Sequence, residues 1–108
     1  MTTQTLAVLA AIMEDPTRPW YGLELARVAK LKSGTIYPAL ARLERAGWLG
    51  SFWEDIDPSE AGRPRRRLYE ITGAGREGTA AALNAHLKQL GVRSGPRSLD
   101  GFPYGSPA

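Results

Sequence analysis

Cysteine is absent from the 108 residues. That excludes disulfides and thiolate metal sites, and it suits a reducing compartment. Histidine occurs once, as His86, and a lone imidazole does not assemble a metal centre. Long apolar runs are also missing. The longest, Leu6 to Met13, is about eight residues against the roughly 20 that a bilayer span needs. It has no basic segment ahead of it, so a signal peptide is not expected either. No Ser/His/Asp set, no phosphate-cradling glycine loop and no close pair of catalytic carboxylates stands out. The cluster Glu54, Asp55 and Asp57 has the chemistry to hold a divalent ion, but it adjoins Arg63, Arg65 and Arg66, which favours neutralisation. The expectation is one small soluble, cytoplasmic domain that is not an enzyme, uses no cofactor and has no membrane partner.

Charge of one sign is scarce in bulk, with a net of only +3, yet it is strongly segregated. Residues 27–45 carry Arg27, Lys30, Lys32, Arg42 and Arg45 against Glu44, a net of +4. Residues 46–60 carry Glu54, Asp55, Asp57 and Glu60, a net of −4, and residues 61–76 return to +4 through five arginines against Glu70. Two basic blocks flanking an acidic one imply a local, directed basic surface.

The segment SGTIYPALARLERAGW, Ser33 to Trp48, organises the rest. Ile36, Leu40 and Leu43 recur at i, i+4 and i+7, one face of a helix. Thr35, Pro38, Arg42 and Arg45 point the other way. Ser33 occupies the N-cap place, Pro38 is tolerable near the start, and Gly47 suits the C′ position. A short helix with hydroxyl and guanidinium groups on one side suits the DNA major groove; a solvated basic face is the alternative. Before it, Thr3 to Glu14 reads as a first helix, apolar nearly all round, with Leu6, Leu9, Ala10 and Met13 on one face and Asp15-Pro16 as its stop. Trp20 to Lys30 reads as a second helix. A turn through Leu31 and Lys32 then makes a helix-turn-helix.

After Gly47 the period changes. Trp48, Leu49, Phe52, Trp53 and Ile56 favour strand, DPSEAGRP (57–64) is turn chemistry, and Arg67 to Ile71 alternates as a second strand. A long hairpin directly after a helix-turn-helix is a wing, from which Arg63, Arg65 and Arg66 project. Thr72 caps a fourth helix whose stripe is Ala80, Leu83, Leu87 and Leu90. Among the aromatics, Tyr37 lies on the flank of the reading helix, where its hydroxyl can reach a phosphate. Tyr69 is expected to pack, Trp48 and Trp53 to build the core or a dimer edge, and Trp20 to be the most exposed candidate for a ligand or partner contact. The fold class is α+β, mostly helical: a winged helix-turn-helix of three N-terminal helices, a two-stranded β-wing and a C-terminal helix. Residues 1–73 would form the DNA-binding domain, 74–91 a dimerisation helix and 92–108 a disordered tail.

In order, YGLEL, SGTIYPALARLERAGWL and GRPRRRLYEITGAGRE resemble the PadR-type winged-helix transcriptional regulators over Thr5 to about Glu77, through three linked motifs: a G-T-[IV]-Y-P-A-L reading helix, a G-R-P-R-[RK] wing and a Y-x-[IL]-T-x-x-G strand end. The resemblance implies a homodimeric DNA-binding repressor, with the first and fourth helices at the dimer contact. It implies DNA contacts from Thr35, Tyr37, Pro38 and Arg42 on the reading helix and from Arg63, Arg65 and Arg66 on the wing; Ser33, at the head of that helix, is grouped with them. Leu6, Leu9, Met13, Leu83, Leu87 and Leu90 are the expected dimer residues. Three departures accompany the match: Trp20-Tyr21-Gly22 opens the second helix, the first wing arm is acidic, and no tryptophan lies on the last helix, where some relatives line a drug pocket. Double-stranded DNA and a second copy of the chain are the expected partners, with a small-molecule effector of unspecified identity as a further class. The rival function, a winged helix used as a protein-interaction module, is motivated by the acidic arm and the apolar first helix.

Overall fold

The computed structural model describes residues 1–91; the tail expected at 92–108 lies outside them. The first helix, α1 (Thr3–Ile12), starts at Thr2, whose hydroxyl oxygen accepts the Thr5 amide at 3.1 Å. It stops two residues short of the expected end, capped at Met13. Its buried residues are Thr5, Val8, Leu9, Ala11 and Ile12. Leu9 is completely buried within the protomer's own core, so the expectation that it makes a dimer contact is corrected. Ala10, expected on the same face, is exposed. The buried arc centres on Val8, Leu9 and Ile12 because helices from the same chain pack around it.

The segment expected as the second helix divides. Trp20–Tyr21 is a short strand, β1, and the helix α2 spans Gly22–Ala29. Trp20 is only 4% exposed. Its indole N–H donates to the Asp15 carbonyl at 3.1 Å, and the Arg18 guanidinium lies 3.5 Å above its ring. The expectation of an exposed Trp20 for ligands or partners is therefore corrected: strand pairing turns its side chain into the core.

Lys30 closes α2 in the left-handed region, at φ 59°, a conformation that a non-glycine side chain seldom adopts. The chain can then reverse into α3 (Ser33–Arg45). Here the cap is Lys32, not Ser33. Lys32 is extended, and its carbonyl accepts the Thr35 and Ile36 amides at 2.9 and 3.0 Å. Ser33 becomes the first helical residue and stays exposed. Ile36, Ala39, Leu40 and Leu43 are buried, the face that the spacing predicts, and Gly47 takes φ 81° just past the helix.

Strands β2 (Leu49–Trp53) and β3 (Arg67–Ile71) pair antiparallel, with Leu49 opposite Ile71 and Trp53 opposite Arg67. β1 adds to the far side of β3, with Trp20 opposite Tyr69, so the sheet has three strands in the order β1-β3-β2. Between β2 and β3, where turn chemistry was expected, Pro58–Ala61 makes one helical turn, α4, capped by the Asp57 carboxylate on the Ser59 amide at 2.9 Å. Tyr69 is buried, as expected of a packing residue. Trp53 is 60% exposed, so it is not a core residue of the protomer.

The last helix, α5 (Gly73–Gln89), is capped as expected by Thr72, whose hydroxyl oxygen accepts the Gly75 amide at 2.9 Å and donates to the Gly47 carbonyl at 2.7 Å. Its early glycines have a packing reason that composition does not show. A Cβ on Gly75 would overlap the Trp48 carbonyl oxygen, and a Cβ on Gly78 would overlap the Trp48 ring. Trp48 is half-buried beneath this close crossing. Farther along, Leu83 and Leu87 are half-buried, Ala80 is exposed and Leu90 is 64% exposed. Met13 is half-buried against the edge of the core. Among the described residues no helix is long and apolar enough to cross a membrane.

Candidate nucleic-acid interface

Burial of one face of α3 leaves the opposite face to solvent. Ser33, Gly34, Tyr37, Pro38 and Arg42 are exposed, and Thr35 is half-buried. Tyr37 lies on the flank, its ring against Gly22; a Cβ there would come within 2.6 Å of the tyrosine Cε1. Gly22 thus lets the start of α2 approach the reading helix closely enough to hold Tyr37 from below.

The wing is held to α3 by a polar chain. The Arg67 guanidinium donates to the Ser51 hydroxyl at 2.8 Å, and that hydroxyl donates to the Glu44 carboxylate on α3. The same guanidinium lies 5.1 Å from the centre of the Trp53 ring. These contacts fix the angle between the helix and the hairpin.

The three wing arginines do not behave alike. Arg63 is engaged by the acidic arm: its Nη1 and Nη2 donate to the two Glu54 oxygens at 2.7 and 3.0 Å. Glu54 also accepts the Arg66 amide at 3.2 Å, and its own amide donates to the Arg66 carbonyl at 2.9 Å. Arg65 donates through Nε to the Ile56 carbonyl at 2.9 Å. Arg66 lies over the Tyr21 ring, 4.4 Å from its centre. Arg65 and Arg66 are exposed, whereas Arg63 is half-buried in its pair. The structure therefore sets Arg63 apart from the other two, as a hinge pin of the hairpin.

The Arg63 guanidinium, followed by the Arg66 amide, holds the Glu54 carboxyl well below its ordinary range, at about 2. The sign follows from linkage. A carboxyl lowered on folding contributes stability above its unfolded value near 4.5 and loses it as pH falls through about 2. The wing clasp should therefore be fully closed at neutral pH. The carboxyl carbon shift of Glu54, followed by NMR, is expected to titrate near the lower value; a midpoint near 4.5 would mean that the clasp is open in solution.

Between the reading helix and the root of the wing lies a groove of about 440 Å³, with Tyr21 and Arg27 on one wall, Tyr37 on another and Arg65, Arg66 and Arg67 on the third. It brings the expected site residues Tyr37, Arg65 and Arg66 together. Tyr21, Arg27 and Arg67 were not singled out from the sequence. Arg27 and Arg67 fall inside the two basic blocks, so the charge pattern contained the signal, but nothing local placed them beside Tyr37. Among the described residues no group of three or more His, Cys, Asp or Glu could hold a metal ion.

A family model described as the transcriptional regulator PadR-like family matches residues 8–81. A comparison with curated protein sequences finds no match. Among solved structures, smu.1704 of Streptococcus mutans UA159 is 25% identical with a TM-score of 0.63, over 82% of this chain and 78% of that one. A PadR family transcription regulator of Clostridium difficile R20291 shares the fold at 21% identity and a TM-score of 0.65, over 83% of this chain and 92% of that one. Reduced AbfR, solved bound to DNA, is 25% identical with a TM-score of 0.63; the match covers 79% of this chain and 56% of that one.

Proposed function

The chain belongs to the PadR-like family of transcriptional regulators, DNA-binding proteins and not enzymes, and from that premise we propose that it acts as a homodimeric repressor on a near-palindromic operator. The reading helix, about residues 33–46, enters the major groove, and the wing, about 54–67, lies along the neighbouring backbone or minor groove. The observation that carries this reading is the juxtaposition across one groove of the exposed flank of α3, with Tyr37, and the arginine strand at 65–67. A winged helix needs that arrangement to engage two parts of a duplex together. Reduced AbfR, which has a similar fold, was solved bound to DNA, which supports DNA as the partner of this chain.

Dimerisation through α1 and α5 is supported by the outer half of α5. Past Thr79 it has no buried residue, and an open groove with Leu6, Ala82 and His86 on its walls runs between it and α1. Leu6, Leu83, Leu87 and Leu90 are the contacts proposed, with Met13 at the edge. Residues 1–73 then form the DNA-reading unit and 74–91 the dimer helix. A two-fold dimer reads half-sites about one helical turn apart. The rival interaction-module reading loses part of its motive, because Glu54 of the acidic arm is consumed by Arg63.

The experiment pairs two substitutions. Arg42→Ala should cost about 1–3 kcal/mol on the preferred sequence and little on random duplex, because it removes a base-edge contact. Arg66→Ala should weaken both alike, because it removes a phosphate contact. Anisotropy titrations on a duplex selected from random DNA decide the matter: equal losses on both duplexes for both variants would refute the assigned roles.

A further inference from the structure

The groove described above gathers positive charge without a carboxylate on its own walls. Four guanidinium groups, those of Arg27, Arg65, Arg66 and Arg67, line it, and no carboxylate does. The carboxylate that follows on α2, Glu24, is held by Arg18 through two hydrogen bonds of 3.1 and 2.8 Å. Two of the four cations are already positioned by other groups, Arg65 on the Ile56 carbonyl and Arg67 on Ser51 and Trp53. Arg27 and Arg66 remain: among the described residues neither guanidinium has an ion-pair partner. Stacking on Tyr21 engages the face of the Arg66 guanidinium and leaves its in-plane N–H donors for another acceptor. Gathering like charges around a concavity is costly unless an anion enters.

We propose that this groove seats one DNA backbone phosphate, gripped between Arg27 and Arg66 with the Tyr37 hydroxyl as a further donor. The proposal rests on the DNA-binding reading above and adds a residue, Arg27 of α2, that lies on neither the reading helix nor the wing. Its consequence is mechanical. The phosphate is held by α2, the flank of α3 and the wing root at once, so it fixes the depth at which α3 enters the major groove before any base is read. Contacts of this kind set register and carry no sequence information.

Arg27 is exposed and makes no hydrogen bond through its side chain among the described residues, so Arg27→Gln should fold as the wild type does. It is expected to weaken binding roughly tenfold on operator and random duplex alike, the size of a lost charged hydrogen bond. The salt slope should fall by about one per protomer. A scan with single methylphosphonate linkages, each neutralising one phosphate, should find one position per half-site that weakens the wild type clearly more than it weakens Arg27→Gln, because Arg66 and Tyr37 still hold that phosphate in the variant. Unchanged affinity and slope in Arg27→Gln would overturn the seat while leaving the DNA-binding reading standing. So would losses that add to the variant's at every neutral position. A wild-type protein that binds no duplex at low salt would instead overturn the DNA reading, and the seat with it.

Discussion

Raising monovalent salt from about 50 to about 200 mM should weaken binding to the operator on the order of 10³–10⁵-fold. The expectation follows from how the cations are placed. Arg27, Arg45, Arg65 and Arg66 are exposed. They lie on α2, on α3 and beside the wing, and in the proposed complex their shared task is to displace counterions from phosphate. Roughly three to five phosphate contacts per protomer give about 6–10 for a dimer, and each released counterion steepens the dependence of affinity on salt. A protomer binding alone would lose only about 40- to 500-fold over the same interval, by the same relation. Titrations by fluorescence anisotropy at four or five salt concentrations therefore test the phosphate contacts and the dimer together. A slope near half the expected value would indicate binding by single protomers, and a flat response would contradict nucleic-acid binding by this surface. Net charge alone would not suggest so steep a response, because +3 is small. The steepness comes from segregation, and it is reinforced where Glu54 takes Arg63 and leaves Arg65 and Arg66 exposed.

Replacing Gly75 with alanine should destabilise the fold by about 2 kcal/mol or more, which for a domain of this size lowers the melting temperature by roughly 8–16 °C. Alanine ordinarily improves a helix over glycine by about 1 kcal/mol, so the sign is decided by packing. The added Cβ would overlap the Trp48 carbonyl oxygen, a backbone atom that already accepts the Thr72 amide at 3.0 Å, and would come within 2.8 Å of Ile71 Cγ1. Backbone cannot turn aside as the end of a flexible side chain can. Gly73 is the control: no atom lies within 4 Å of a Cβ built there, so alanine at that position should be neutral or stabilising by up to about 1 kcal/mol. Thermal unfolding of the two variants settles it. Equal stability would mean that α5 does not cross Trp48 so closely. That crossing matters for function, because α5 leaves the DNA-reading unit at the angle set by Gly75 and Gly78, and this angle fixes how far apart two reading helices stand in the proposed dimer.

The reading helix was legible because its information is local. Ile36, Leu40 and Leu43 repeat at the helical period, and Gly47 supplies the left-handed residue that ends it. The hairpin and the Thr72 cap were legible for the same reason. β1 was not: two residues become a strand only because β3, nearly fifty positions later, offers an open edge opposite Trp20 and Tyr21. Periodicity over Trp20 to Lys30 cannot register such a partner. The burial of Trp20 and the enclosure of Leu9 follow from distant packing in the same way. Ser33 was misplaced by one residue, because a serine beside a helix start fits the cap and the first turn equally well until backbone torsions decide.

What the chain determined by itself is the order of its elements, the basic character of two separated blocks and the family to which it belongs, since each depends on residues near one another or on a linear motif. Tertiary structure decided which arginines are available and where they gather. Glu54 and Arg63 are nine positions apart and could have faced opposite ways. Arg27, Tyr37 and Arg66 share a groove only because α2, α3 and β3 converge on one core. Opposite charges pair, and like charges collect, according to distances in space, and a linear sequence does not contain those distances until its apolar faces have been buried together.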